Sequence, residues 1–441
     1  MRSSVLIQFP GLGGYAPGIL ARLVADSPRL GAVLSEVDAV AAGYGFGPVS
    51  GPLTDPDGPP IEDLAQTPTL LHLASFASSY LLYQALHDKG IDGDVLLGHS
   101  TGELTALAAA GALSVPDTAR VLCEREVALA EAGIGGGLVA VRVGARHAEY
   151  LCGAAGGWSL LVSLSNSPEQ TVVSGCAQDL PRFEAVAQAA GVQATRLLVR
   201  YPHHNPVLQT AARRVTAAVA AYQMHDPAAR VYSPILGRWV TGAADVRRIV
   251  ERHLIDPVDY LRALRTLYDG FAVREFIEVG VRPVLTESAR ESLPTGATFV
   301  GPPPNACDAQ EILNVLASTG EPEVAARVAS ASASAVAETS GEPGPGATTD
   351  ARSLPDRDTL LARLRTMFAE TLGYPEDVFT DDAHLEADLG IASVKKTELL
   401  VRLLDEYQLP TPPARLRMRD YTTLPKLAAL METLAVDGAK P

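Results

Sequence analysis

Residues 94–111, DVLLGHSTGELTALAAAG, join a short apolar run to an alanine-rich segment through a tight turn. The apolar run at 94–98 predicts a buried strand, and residues 104–111 predict the start of a helix. Between them, GHSTG has the GxSxG pattern of a nucleophile elbow, whose glycines allow a sharp turn that exposes Ser100. The stretch therefore predicts an α/β fold with a serine nucleophile. A tight turn with a purely structural role is the weaker alternative.

Strand-like and helical patterns alternate on both sides of this stretch. Residues 276–280 predict a further strand followed by a turn. The alternation predicts a hydrolase-like α/β core with a mainly parallel sheet. Residues 137–198 have a strand–helix–strand pattern of their own, which predicts an inserted, ferredoxin-like α+β subdomain.

The composition changes sharply at residues 318–353, which contain an alternating Ala/Ser tract and the run GEPGPG at 341–346. Such a segment buries too little apolar surface to offset its ordering entropy, so we expect a disordered linker. Residues 354–441 return to apolar positions at helical spacing and predict an all-α four-helix bundle. The chain is thus divided into a domain at 1–317, the linker, and a domain at 354–441.

Composition excludes several classes of function. A formal net charge of −15 over 441 residues argues against nucleic-acid binding, because phosphate contacts need clustered Lys and Arg. No apolar stretch is long enough to span a bilayer. The four cysteines form no CxxC pair, and no Cys/His cluster has zinc spacing. We therefore expect a cytoplasmic protein without a metal, a membrane or a nucleic-acid partner.

A serine nucleophile needs a general base. The chain has nine histidines, and His99 adjoins Ser100 and is expected to be structural. His203 and His204 lie in a proline-flanked loop, YPHHNP, far along the chain from the elbow. From the residues alone, a catalytic and a structural role for this pair are about equally supported.

Several stretches fall in the order found in malonyl-CoA:acyl-carrier-protein transacylases and in the acyltransferase domains of polyketide synthases. They are FPGLG at 9–13, GHSTGE at 98–103, NSP at 166–168 with TVVSG at 171–175, YPHH at 201–204, and EVG at 278–280 with PVL at 283–285. Residues 5 to about 300 therefore resemble this family, over about two-thirds of the chain.

The resemblance implies a set of catalytic roles. Ser100 would be acylated by a coenzyme A thioester, with His204 as the base and the backbone N–H groups of Leu12 and Thr101 as the oxyanion hole. A backbone carbonyl near residues 269–271, rather than a carboxylate, would orient His204. Arg125, 25 residues after Ser100, would bind the malonyl carboxylate. The alternative for Arg125 is a helix position paired with a neighbouring glutamate.

Departures from the family pattern concern the acyl pocket. The order Gln66-Thr67 is inverted relative to the family, and His203 replaces a small or aromatic residue. With Asn166 and Tyr201, these side chains are expected to shape the pocket. They leave malonyl and substituted malonyl groups as open alternatives.

Residues 357–436 resemble an acyl carrier protein. The stretch DLGIASV at 388–394 is similar to the DLGxDSL signature, which implies that Ser393 carries a covalent 4'-phosphopantetheine. Acidic residues precede it, and Ala392 replaces the aspartate that most carriers have. Because that aspartate helps the phosphopantetheinyl transferase to dock, modification of Ser393 is expected to be slower or to need a dedicated transferase.

Together the two resemblances imply a transferase that loads a malonyl-type group from malonyl-CoA onto a carrier, foremost its own Ser393. A downstream ketosynthase of a polyketide or fatty-acid-like pathway would use the loaded carrier. Two alternatives are an editing hydrolase, which releases acyl groups from carriers, and a non-catalytic docking scaffold. Arg125 argues against the first, because editing hydrolases act on acyl chains without a carboxylate.

Overall fold

The computed structural model describes residues 4–12, 14–318, 356–372, 376, 379–381, 383, 385, 399, 403, 407, 409 and 421–438. The chain forms two units, residues 1–338 and 339–441. The predicted linker, apart from Ser318, lies outside the described residues, as do the carrier signature and Ser393. Among the described residues, no helix has both the length and the apolar character needed to cross a membrane.

The described strands of the first unit are β1 (Ser4–Phe9), β2 (Val95–Gly98), β3 (Gly136–Val141), β4 (Leu161–Ser167), β5 (Gln170–Cys176), β6 (Ala194–Arg196), β7 (Val231–Ser233), β8 (Arg238–Trp239), β9 (Val258–Asp259), β10 (Val273–Glu278) and β11 (Thr298–Val300). Its helices are α1 (Ala21–Asp26), α2 (Pro28–Gly43), α3 (Ser50–Thr54), α4 (Ile61–Leu64), α5 (Pro68–Asp88), α6 (Thr101–Ala109), α7 (Val115–Ala132), α8 (Ala145–Ala155), α9 (Leu180–Ala189), α10 (Gln209–Ala218), α11 (Ala243–Arg252), α12 (Tyr260–Phe271), α13 (Val284–Ser292) and α14 (Ala309–Ala317). A 3₁₀ turn covers Pro206–Leu208.

The larger sheet has the strand order β11-β10-β1-β2-β7-β8. All of its neighbouring pairs are parallel except β7 with β8. Every residue of β2 is buried, as expected for a central strand of a parallel sheet covered on both faces. This arrangement confirms the predicted parallel-sheet core and places the carboxyl ends of β1 and β2 side by side.

The smaller sheet has the strand order β6-β3-β5-β4-β9, and its strands β3 to β6 lie between β2 and β7 in the chain. Its first four strands pair antiparallel, and α8 and α9 connect them in a βαββαβ order. Val139, Val173 and Phe183 are buried in the core between the sheet and these two helices. The predicted ferredoxin-like subdomain is confirmed, with β9 added beside β4 as a parallel fifth strand.

The described part of the second unit is helical, with α15 (Arg357–Leu372) and α16 (Leu424–Gly438). Leu364, Phe368, Leu427 and Met431 are fully or nearly fully buried in its core. The helical spacing of apolar residues in these two segments is therefore confirmed. The helix predicted around residues 394–404 falls mostly outside the described residues.

Candidate active site

Ser100 lies in the turn between β2 and α6 and has a positive φ of 53°. Neither glycine position of the motif has room for a side chain. A Cβ on Gly98 would lie 2.2 Å from the Glu103 backbone, and one on Gly102 would lie 2.0 Å from the Phe9 carbonyl oxygen. The local sequence therefore dictates a sharp, strained elbow with the serine at its tip.

His204 is the residue that pairs with this serine. Its Nε2 atom lies 2.8 Å from Ser100 Oγ, and its Nδ1 atom lies 3.0 Å from the Asp256 carbonyl oxygen. Because a carbonyl only accepts, Nδ1 carries the proton and Nε2 is free to accept one from Ser100. Burial and the Arg125 charge lower the pKa of His204 to about 3, which keeps the imidazole neutral.

The prediction that residues 269–271 supply the carbonyl that orients His204 was wrong. Residues 269–271 lie in the last turn of α12, whereas the bond to His204 comes from Asp256, which precedes β9. As expected, a backbone carbonyl and not a carboxylate holds the ring. Asp256 contributes its main chain, while its side chain pairs with Arg252.

His253 is a further residue of the site that sequence reasoning missed. It follows α11, and its Nε2 donates to the Ser100 carbonyl oxygen over 2.9 Å. Its ring also lies against His204, with centroids 5.6 Å apart. Since 153 residues separate it from Ser100, no local spacing could have revealed it. The contact ties the backbone of the strained elbow to the end of α11.

Arg125 is buried on α7, with 2% of its surface exposed. Its Nε and Nη1 atoms have no hydrogen-bond partner. Its charge lowers the pKa values of His72, His203, His204 and His253, so the guanidinium lies within electrostatic range of all four rings. Burial lowers the pKa of Arg125 itself to about 10, so it remains a cation at neutral pH. The group is thus a buried donor with two unsatisfied nitrogens, within electrostatic range of the His204 that pairs with Ser100.

The alternative role for Arg125, pairing with a neighbouring glutamate, finds little support. Glu124 accepts a hydrogen bond of 2.5 Å from the Tyr44 hydroxyl. Glu126 faces His72 at 3.5 Å. Neither carboxylate is within salt-bridge distance of Arg125 among the described residues.

The two backbone groups expected to form the oxyanion hole flank Ser100. Thr101 is the first residue of α6, where helix N–H groups have no intrahelical acceptor. Leu12 lies in the turn after β1, next to Gly11, whose Cβ position would be 3.4 Å from Ser100 Cβ. The main chain of Thr101 and the turn that contains Gly11 and Leu12 are therefore both close to Ser100.

Of the four residues expected to shape the pocket, three are buried or partly buried, and Gln66 is exposed. His203 is buried, and the partly exposed Tyr201 packs against it with ring centroids 6.2 Å apart. Asn166 accepts a hydrogen bond of 2.8 Å from His99, which gives His99 a structural partner. Gln66 is exposed and bonded to Arg200, because it precedes α5 at the surface, so its position does not support a role in the pocket.

Comparison with known families agrees with this geometry. Residues 8–320 match the acyl transferase domain family, and residues 362–431 match the phosphopantetheine attachment site family. The pikromycin polyketide synthase component PikAII of Streptomyces venezuelae is 30% identical over 291 residues, or 66% of this chain. A spectinabilin polyketide synthase protein of Streptomyces orinoci is 30% identical over 302 residues, or 67% of this chain. The chain spans 8% of the length of each of these two relatives.

Solved structures show the same fold in the first unit. A malonyl-CoA:acyl carrier protein transacylase of Xanthomonas oryzae is 26% identical with a TM-score of 0.60, covering 68% of this chain and 95% of that one. The transacylase of Coxiella burnetii is 21% identical with a TM-score of 0.63, covering 73% of this chain and 99% of that one.

Proposed function

Because the chain belongs to the acyl transferase domain family and also has a phosphopantetheine attachment site, we propose that it moves a malonyl-type acyl group from coenzyme A to a carrier. The acyl group passes through an ester on Ser100, and the acceptor is a phosphopantetheine thiol, foremost the one on Ser393. The observation that carries the proposal is the chain of contacts from Ser100 Oγ through His204 to the Asp256 carbonyl.

The first half-reaction acylates the serine. Ser100 Oγ attacks the thioester carbonyl while its proton passes to His204 Nε2. The backbone N–H groups of Leu12 and Thr101 stabilise the resulting oxyanion. The carbon–sulfur bond then breaks, and His204 passes its proton to the departing sulfur, so coenzyme A leaves as the free thiol and His204 is neutral again.

The second half-reaction reverses these steps with a different thiol. The phosphopantetheine thiol gives its proton to His204 and attacks the Ser100 ester as a thiolate. The ester bond breaks, and Ser100 recovers the proton. Because the same histidine serves both thiols, the pair suits exchange between thioesters.

Arg125 supports a substrate that carries a carboxylate. Its two unpartnered nitrogens are buried within electrostatic range of His204, and a guanidinium and a carboxylate pair most strongly when buried. The relative named as a malonyl-CoA:acyl carrier protein transacylase, at 26% identity, agrees with a malonyl group and a carrier partner. A phosphopantetheinyl transferase would prepare Ser393, and a ketosynthase would consume the loaded carrier, as the polyketide synthase relatives suggest.

The acyl-enzyme step can be tested in the full-length Ser393→Ala variant, which has no carrier acceptor of its own. After addition of malonyl-CoA, we expect a stable malonyl increment on the peptide that contains Ser100, measured by mass spectrometry. A further change, Ser100→Ala, should remove the increment. Rapid release of free malonate without an ester would favour the editing hydrolase, and no reaction with any acyl-CoA would favour the scaffold.

A further inference from the structure

Three buried side chains from separate elements meet beside the Ser100–His204 pair. His72 lies on α5, Glu126 on α7 and His203 in the loop after β6, and each is at most 6% exposed. One ligand-type atom from each lies within 4.8 Å of the others. These three residues are called the His–Glu–His cluster below.

Glu126 is buried without a hydrogen-bond partner for its Oε1 atom. The nearest basic nitrogen, His72 Nε2, lies 3.5 Å away. His72 is itself buried, which disfavours its charged form. Within the described ranges, no other Lys, Arg or His nitrogen lies within 4.0 Å of this carboxylate. The Arg125 charge also acts on Glu126, but from beyond salt-bridge distance, so a closer cation would still stabilise this buried carboxylate.

We propose that the cluster binds one divalent transition-metal ion of the zinc type. The ligands are His72 Nε2, a carboxylate oxygen of Glu126 and a ring nitrogen of His203. Two imidazoles and one carboxylate form a three-residue set that zinc accepts while keeping a fourth position open for water.

The geometry is close to what such a site needs. With zinc–nitrogen bonds of about 2.0–2.1 Å, ligand atoms in a tetrahedron lie about 3.3 Å apart. The His72–Glu126 separation of 3.5 Å already approaches this value, and the His203 Nδ1 atom has no hydrogen-bond partner.

A partner outside the cluster orients its first ligand. His72 Nδ1 lies 3.1 Å from the Thr101 hydroxyl, which leaves Nε2 turned towards Glu126. Histidines that bind metals are commonly fixed in this way through their second nitrogen. The positive charge of Arg125 repels a bound metal ion, whereas the Glu126 carboxylate attracts it. Because the two effects oppose each other, we expect metal binding to be readily reversible.

The test uses the full-length Ser100→Ala protein with any affinity tag removed, so that binding is read without catalysis. Stripped of metal and titrated with Co²⁺, it should bind about one ion per chain, with visible absorption of a low-coordinate cobalt site and a higher melting temperature. Glu126→Gln and His72→Gln should each weaken Co²⁺ binding about tenfold or more. Glu126→Gln changes one atom and keeps the shape of the side chain, and its far-ultraviolet circular dichroism checks the fold.

The matched control is the double variant His147→Gln with Cys307→Ser, which removes an exposed imidazole and the exposed thiol. It should bind Co²⁺ as the parent does. The proposal is overturned by the absence of a cobalt spectrum in the parent, by binding that survives all cluster variants, or by binding lost in the control. Because the readout is metal binding, failure here is distinct from failure of acyl transfer.

Discussion

At the scale of single residues, Arg125 gives the most specific prediction about which substrate is used. Replacing it with Ala removes a charged hydrogen-bond donor worth about 1.5–3 kcal/mol, so kcat/KM for malonyl-CoA should fall roughly 10- to 100-fold. Acetyl-CoA, which has no carboxylate, should lose far less. Steady-state kinetics with both thioesters checks this, and Arg125→Lys, which keeps the charge, should lie between the two enzymes. Equal losses for the two substrates would refute the carboxylate role.

His253 acts through the elbow and is a positioning residue. His253→Ala removes the donor to the Ser100 carbonyl, and we expect kcat to fall about fivefold with KM little changed, since one neutral hydrogen bond contributes about 1 kcal/mol. His253→Gln keeps an N–H of similar reach and should recover part of the loss. If Gln is no better than Ala, the hydrogen bond does not hold the elbow.

The residues of the site could be predicted from the sequence where they are close together in the chain. The elbow around Ser100 follows from two glycines within five residues and the strand before them. The choice of His204 over His203 rested on a family resemblance, and both lie more than 100 residues from the serine. Asp256, His253 and the His72–Glu126 contact join distant elements, so they become visible once the sheet and helices are in place.

At the scale of elements, the turn from β2 into α6 depends on close packing against β1. A Cβ on Gly102 would lie 2.0 Å from the Phe9 carbonyl oxygen, a backbone atom that cannot move aside easily. Gly102→Ala should therefore destabilise the protein by about 3 kcal/mol, the upper range for overpacking. Chemical denaturation measures this change. Gly43→Ala, where the new methyl group meets no atom within 4 Å, should leave stability nearly unchanged.

Glu103, in the first turn of α6, gives a pH-dependent prediction. Burial raises its pKa to about 8, although its Oε1 atom accepts a hydrogen bond from Ser233. A carboxyl with a raised pKa favours the folded state at low pH, and that contribution is lost as the pH rises through about 8.

The isosteric variant Glu103→Gln cannot ionise, so it should lose less stability than the parent between about pH 5.5 and about pH 8.5. Melting temperatures at the two pH values measure the difference. Parallel behaviour of the two proteins would show that Glu103 does not titrate in this range.

The elements themselves were largely predictable. Alternation of apolar runs with helical patterns is a local signal, and it predicted the parallel core and the inserted subdomain. The addition of β9 to the smaller sheet was not foreseen, because a two-residue strand has no periodicity. Its position matters, since Asp256 lies just before it and thereby reaches His204.

At the scale of the whole molecule, the proposed function uses a transferase unit and a carrier unit on one chain. A tether raises the local concentration of acceptor to the order of mM, so transfer within the chain should outrun transfer between chains at low protein concentration. The initial rate of carrier loading per chain should therefore be independent of protein concentration over a dilution series. A rate that falls in proportion to dilution would place the acceptor on another chain.

The most direct test of the central claim is the intact mass of the full-length protein after conversion to its phosphopantetheine form and addition of malonyl-CoA. We predict a malonyl increment on the Ser393 arm in the parent and none in Ser100→Ala, with Cys307→Ser behaving as the parent does. An increment that appears equally without Ser100, or no increment on Ser393 in the parent, would contradict transfer through Ser100 to the carrier.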